Sequence, residues 1–201
     1  MSILEIDWNQ KRPLDEEILD VLKTLTLKPV NISNDSIQDL LNAFKNSYRN
    51  GKVNMVCLEI PENNILDWFL SRNRSEEYNI IHWLLQQAWG LPLQNEREVS
   101  EKYGSGIKMV WGSPFTLSGQ IAQSLFQGGA YSGYKGSGAD ALKISENFRK
   151  AIFDDRFNEI FVFFITGPWT KWFHGVAWDY TWFILDKRNR LIWLLSVTDM
   201  D

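Results

Sequence analysis

The chain predicts an α+β fold: an antiparallel or mixed sheet of about five strands, ending in a C-terminal three-strand meander, with helices mainly on one side. Three observations predict it. The run Phe161-Val162-Phe163-Phe164-Ile165, closed by Gly167-Pro168, is a short apolar stretch of β-formers, as in a strand covered on both faces. Leu191 to Val197 is a second such stretch, joined to a middle strand that ends at Leu185 by Asp186-Lys187-Arg188-Asn189, a turn sequence. Ahead of this meander, helical and strand-like segments do not alternate regularly, which disfavours a doubly wound sheet.

The elements follow in order. Residues 2–8 form a short strand or an irregular arm. Pro13 opens a helix through Leu14, Ile18, Leu22 and Leu25, with Asp15, Glu16 and Glu17 at the positive end of its dipole. Ile37, Leu40, Leu41 and Phe44 recur at helical spacing between Asp35 and Asn50, and Gly51 stops that helix. Lys52 to Ile60 reads as a strand ended by Pro61. Two helices follow, near 62–72 and 76–89, the second capped by Ser75 and closed by Gly90 and Pro92. A loop is expected over 93–106, a strand over Ile107–Trp111, and helices over Thr116–Gln127 and from about Ala139 to Asp155. The middle strand of the meander is expected from about Lys171 to Leu185. The whole chain, 1–201, is expected to be one domain, its helical part at about 13–92 packed on a sheet completed by 157–198.

Composition narrows the function classes. The 201 residues carry a net charge of −4 and no basic cluster, so nucleic acid is not expected as a partner. The Lys187–Arg190 segment reads as a solvated hairpin tip. No apolar run reaches the ~20 residues of a membrane span, and the acidic N-terminus lacks signal-peptide character. A cytoplasmic protein without a membrane partner is the expectation. One cysteine, Cys57, and two histidines, His82 and His174, leave no metal cluster, and no cofactor is expected.

Two regions carry candidate site residues. Five of the ten tryptophans fall in the last 33 residues. If Lys171–Leu185 is a regular strand, Trp172, His174, Trp178, Tyr180 and Trp182 share one face, and Asp179 points to the other. Trp172, Trp178, Tyr180 and Trp182 then line a ligand pocket or a partner interface. Left exposed, such a face implies a homodimer. His174 is the candidate general acid/base and Asp179 the orienting carboxylate. The second region is the glycine-rich middle, where nine of the 13 glycines lie between Gly104 and Gly138. Tyr131, Tyr134 and Lys135 on its loop are candidate contacts for a ligand or partner, and the loop is a candidate lid. Gly136-Ser137-Gly138 ahead of a helix is a candidate anion site, although no strand leads into it as a dinucleotide fingerprint requires.

Small, acidic and without a catalytic motif, the chain resembles bacterial immunity proteins and similar antagonists in composition alone. The expected function is non-catalytic binding of an unknown small molecule or protein, in an immunity-like or adaptor role. The alternative is a small-molecule enzyme built on His174 and Asp179.

Overall fold

The computed structural model describes residues 3–90 and 109–200. The loop expected over 93–106 and the start of the strand expected at Ile107 lie outside the described residues. The described elements are α1 (Asp15–Thr24), β1 (Lys28–Pro29), α2 (Asp35–Ser47), β2 (Lys52–Glu59), α3 (Asn64–Ser71), α4 (Ile80–Gly90), β3 (Met109–Trp111), α5 (Leu117–Gln127), α6 (Gly138–Phe153), β4 (Ile160–Thr166), β5 (Tyr180–Asp186) and β6 (Leu191–Thr198).

Six strands form one antiparallel sheet in the order β1-β2-β6-β5-β4-β3. The α+β class and the C-terminal meander β4-β5-β6 are those the sequence predicts. The strand beyond the expected five is β1, too short for a periodic signal.

Side-chain alternation divides the core into two layers. The row Cys57–Trp193–Ile184–Val162 faces one side, and the next row, Leu58–Ile192–Leu185–Phe161, faces the other. The first side packs against α2, α5 and α6 through Phe44, Leu125, Phe148 and Ile152. The second packs against α1, α3 and α4 through Ile18, Phe69 and Leu84. Of the N-terminal helical part, α1, α3 and α4 cover one face of the sheet, and α2 joins α5 and α6 on the other. Phe44, Phe69, Phe148 and Phe183 are fully buried, so truncating any of them to alanine costs about 3–5 kcal/mol.

Local chemistry sets the helix starts. Asn34 accepts from the amides of Ser36 and Ile37, and Asn63 from those of Ile65 and Leu66. At α1 the Glu17 carboxylate accepts from the Leu14 amide at 2.7 Å. Ser75 does not cap α4 as expected. A 3-10 turn at Glu77–Asn79 intervenes, with Tyr78 at φ 54°, and the Ser75 hydroxyl is buried without a hydrogen-bond partner.

The largest departure lies at 167–179. The strand expected from Lys171 begins only at Tyr180, and the preceding residues form an irregular loop. Gly167 at φ 88° turns the chain out of β4, and its amide donates to the Asp179 carbonyl at 2.9 Å, closing the loop at its base. The expected aromatic face is therefore split, Trp172 and His174 leaving it while Trp178, Tyr180 and Trp182 stay together. Trp169, Trp172 and Phe173 join the layer of α1, α3 and α4, whereas Trp178, Tyr180 and Trp182 join that of α2, α5 and α6.

The hairpin after β5 is not solvated either: Lys187 and Arg190 are buried. Asp186 accepts from the Asn189 backbone and side-chain nitrogens at 3.1 and 2.9 Å. Arg190, not Asn189, takes the left-handed conformation, at φ 53°.

Candidate functional site

Among the residues expected to carry chemistry, Asp179 is wholly buried and His174 is exposed. Asp179 Oδ2 accepts from the amides of Gly175 and Val176 at 2.7 and 3.0 Å, and Oδ1 from the Thr198 hydroxyl at 2.5 Å. Both oxygens thus hold the loop to itself and to β6. Backbone amides and a threonine hydroxyl compensate this buried carboxylate.

The aromatic candidates separate by burial. Trp172 and Trp182 are core, with Trp182 against Phe44 and Phe164 at ring separations of 6.1 and 5.4 Å. Trp178 and Tyr180 are half-buried. Of the loop residues, Tyr131 is 68 % exposed. Tyr134 and Lys135 border a cleft of about 280 Å³ with Ala43, Asn46, Ser47 and Arg49 of the α2 end.

The glycine-rich loop is stitched down at its start. Gly129 N–H donates to the carbonyls of Ser47 and Ser132, and Ala130 N–H to Asp199 Oδ2 at 2.9 Å. A Cβ on Gly129 would lie 1.8 Å from that same carboxylate oxygen, so only glycine permits the approach. Asp199 is 1 % exposed. The candidate anion site at Gly136-Ser137-Gly138 already holds an internal anion. The Asp140 carboxylate accepts from the Ser137 amide at 2.9 Å while the Ser137 hydroxyl accepts from the Asp140 amide, a reciprocal capping box. The Ser137 hydroxyl also donates to the carboxylate at 2.6 Å, and this bond, with that from the Ser137 amide, holds the Asp140 carboxyl below its ordinary range.

Cys57 faces α2 from the middle of the sheet. Burial, reinforced by the charges of Asp186 and Glu59, pushes its thiol up to about 12, so almost no thiolate forms at neutral pH.

A feature that sequence reasoning missed lies at the outer edge of β2. Val30 N–H donates to Cys57 C=O at 2.9 Å, so the backbone groups of Cys57 point away from β6. Alternation along an unbroken register gives Val53 and Met55 the same outward direction. Yet β1 pairs only with Leu58 and Glu59, and among the described residues no strand meets Val53 or Met55 on that side. Beside this open stretch runs a groove of about 310 Å³, bounded by Val30, Ile32, Ile37, Leu41, Met55 and Val56. Lys28 is exposed next to Pro29 at one end of it, whereas Lys52 at the start of β2 turns its ammonium to the other face, 6.0 Å from the Trp172 ring. The signal was non-local: the sequence marks β2 as a strand, but only the order of the sheet reveals that its outer side is free.

No family model, curated protein or solved structure matches this chain.

Proposed function

We propose that the chain is a non-catalytic interaction protein that takes an extended segment of a protein partner onto the open edge of β2. The observation that carries this reading is the outward-facing backbone of Val53 and Met55 beside an apolar groove. Two donors and two acceptors at strand spacing, with no strand partner among the described residues, suit another strand, and the groove suits its alternate apolar side chains. β1 already occupies the neighbouring positions in this manner. Lysines on an edge oppose self-pairing. The occupant is therefore a different protein, an extended segment with apolar residues at alternate positions. The exposed Tyr131 and the Tyr134–Lys135 cleft offer further contact surface on the same helical side.

Substitution of Val53 by proline tests the reading. It removes an outward N–H while leaving the bonds to β6, which use the alternate residues. The partner recovered with the wild-type chain should bind about tenfold or more weakly to V53P, the effect of losing one or two main-chain bonds. Amide exchange at Val53 and Met55 should slow in the complex. A partner held equally well by V53P, with those amides still exchanging freely, refutes the proposal. A mass that doubles with concentration, and returns to monomer in V53P, assigns the edge to a second copy instead.

A further inference from the structure

Three buried charges at the β5–β6 hairpin differ in how they are compensated. Asp186 is held by the Arg156 guanidinium through Nη1 at 2.8 Å and Nη2 at 2.5 Å. Arg190 grips Asp67 through Nε at 2.9 Å and Nη2 at 2.7 Å. Lys187 has no such carboxylate. It is buried too, with the residue 8 % exposed. Nζ donates to Asn73 Oδ1 at 2.6 Å and more weakly to the Asn158 carbonyl at 3.4 Å, and it lies 4.1 Å from the centre of the Phe161 ring. Among the described residues no acidic oxygen comes within ion-pair distance of it. Glu159, the nearest candidate, is already bridged to Arg156 and Arg188 at 3.2 and 3.0 Å. A buried ammonium with neutral partners only is costly to keep, and an anion is what it lacks.

The same lysine opens into a cleft of about 410 Å³. One wall is the N-terminal arm, where Ile3, Leu4 and Ile6 line the cavity and the Leu4 amide donates to the Arg188 carbonyl at 2.8 Å. Asn73 and Asn158 lie at the lysine end, with Glu5, Glu159 and Arg188 around the rest. The cavity thus combines one under-compensated cation with an apolar wall, the usual composition of a small-molecule site. Two glutamates in the lining oppose a doubly charged group such as phosphate. A single negative charge with a hydrocarbon tail meets both requirements.

We infer that this cleft binds a small monocarboxylate with an apolar tail, its carboxylate on Lys187 Nζ and its tail along Ile3, Leu4 and Ile6. Burial lowers the Lys187 ammonium below its ordinary range, and Glu159 partly offsets this, so carboxylate binding raises it again. The site is separate from the β2 edge, and either assignment survives failure of the other.

Hexanoate is the probe, with hexanol and inorganic phosphate beside it. Calorimetry on the full chain should show hexanoate binding more tightly than either. The Lys187 side-chain resonances in the wild-type protein should shift on titration, a readout that needs no variant. K187M, which keeps the apolar stem, should weaken hexanoate about tenfold or more, as loss of a charge-assisted bond does. I6A, at a partly exposed wall position, should weaken it about threefold and leave the fold intact. Hexanol binding as well as hexanoate, phosphate binding better, no binding of hexanoate at millimolar concentration, or an unmoved Lys187 signal would each overturn the assignment.

Discussion

At one end of β5, Asp186 is buried against a guanidinium; at the other, Asp179 is buried against two amides and a hydroxyl. Both residues are inaccessible to solvent. The hairpin end, with Asp186–Arg156 and Asp67–Arg190, balances charge with charge over long sequence separation. The loop end balances charge with oriented neutral donors, two of them within four residues. The first arrangement fails when either partner is removed, since the other is left as an uncompensated ion. The second shares its load among several bonds, so removing one donor is milder. Lys187 stands between the two as a cation with neutral partners of its own.

Four variants sharpen or break this comparison. The largest effect is expected from R190M, which leaves Asp67 buried without its counter-charge. A loss of about 3–5 kcal/mol in urea unfolding is expected, and the apolar double variant D67L/R190M should recover most of it. D179N comes next, at about 1–3 kcal/mol. Its amide turns a donor toward groups that themselves donate, and cleavage within 167–179 by added protease should rise in step. If D179N costs as much as R190M, the neutral cage is not the gentler device. T198V removes one donor from that cage and should cost about 1 kcal/mol by thermal melting. K187M should be close to neutral at pH 7, because it replaces an under-compensated buried charge by an apolar chain.

The last variant also has a signed pH dependence. Lys187 binds its proton less tightly when folded than the ordinary 10.5 of the unfolded chain. Its penalty is therefore complete below the folded value and disappears as pH rises through the window up to 10.5. Cys57 acts oppositely above 9.0, since the folded thiol keeps a proton that the unfolded one loses. The difference between wild type and K187M isolates the lysine. Wild type should gain stability relative to K187M as pH rises toward 10.5 in urea midpoints, and a constant difference would contradict the burial effect.

Elements with strong local signals were legible in the sequence. The periodicity of Ile37, Leu40, Leu41 and Phe44 located α2, and the β-branched and aromatic runs located β4 and β6. The loop at 167–179 was not legible, because Trp172, His174, Val176 and Trp178 alternate as a strand would. What overrides the alternation is Asp179 folding back on Gly175 and Val176, a bond that leaves no periodic trace. The hairpin misled for a related reason. Four polar residues in a row read as solvated, yet Lys187 and Arg190 reach partners 114 and 123 residues away in Asn73 and Asp67. Of the candidate site residues, the exposed Tyr131 and the cleft-lining Tyr134 and Lys135 lie at the surface as their loop suggested, and Ser137 caps a helix. The β2 edge depends on strand order, which no local pattern encodes.

Strand order also sets a timetable for synthesis. β6 joins β2 on one side to β5 on the other, and it is the last of the six to leave the ribosome. Until it emerges, β1–β2 and β3–β4–β5 are two unjoined ribbons, each with a bare apolar edge and no partner for half its backbone. A chain that lacks β6 presents unpaired strand edges of the kind that promote misassociation, and the facing edges of β2 and β5 are covered only when β6 pairs with both.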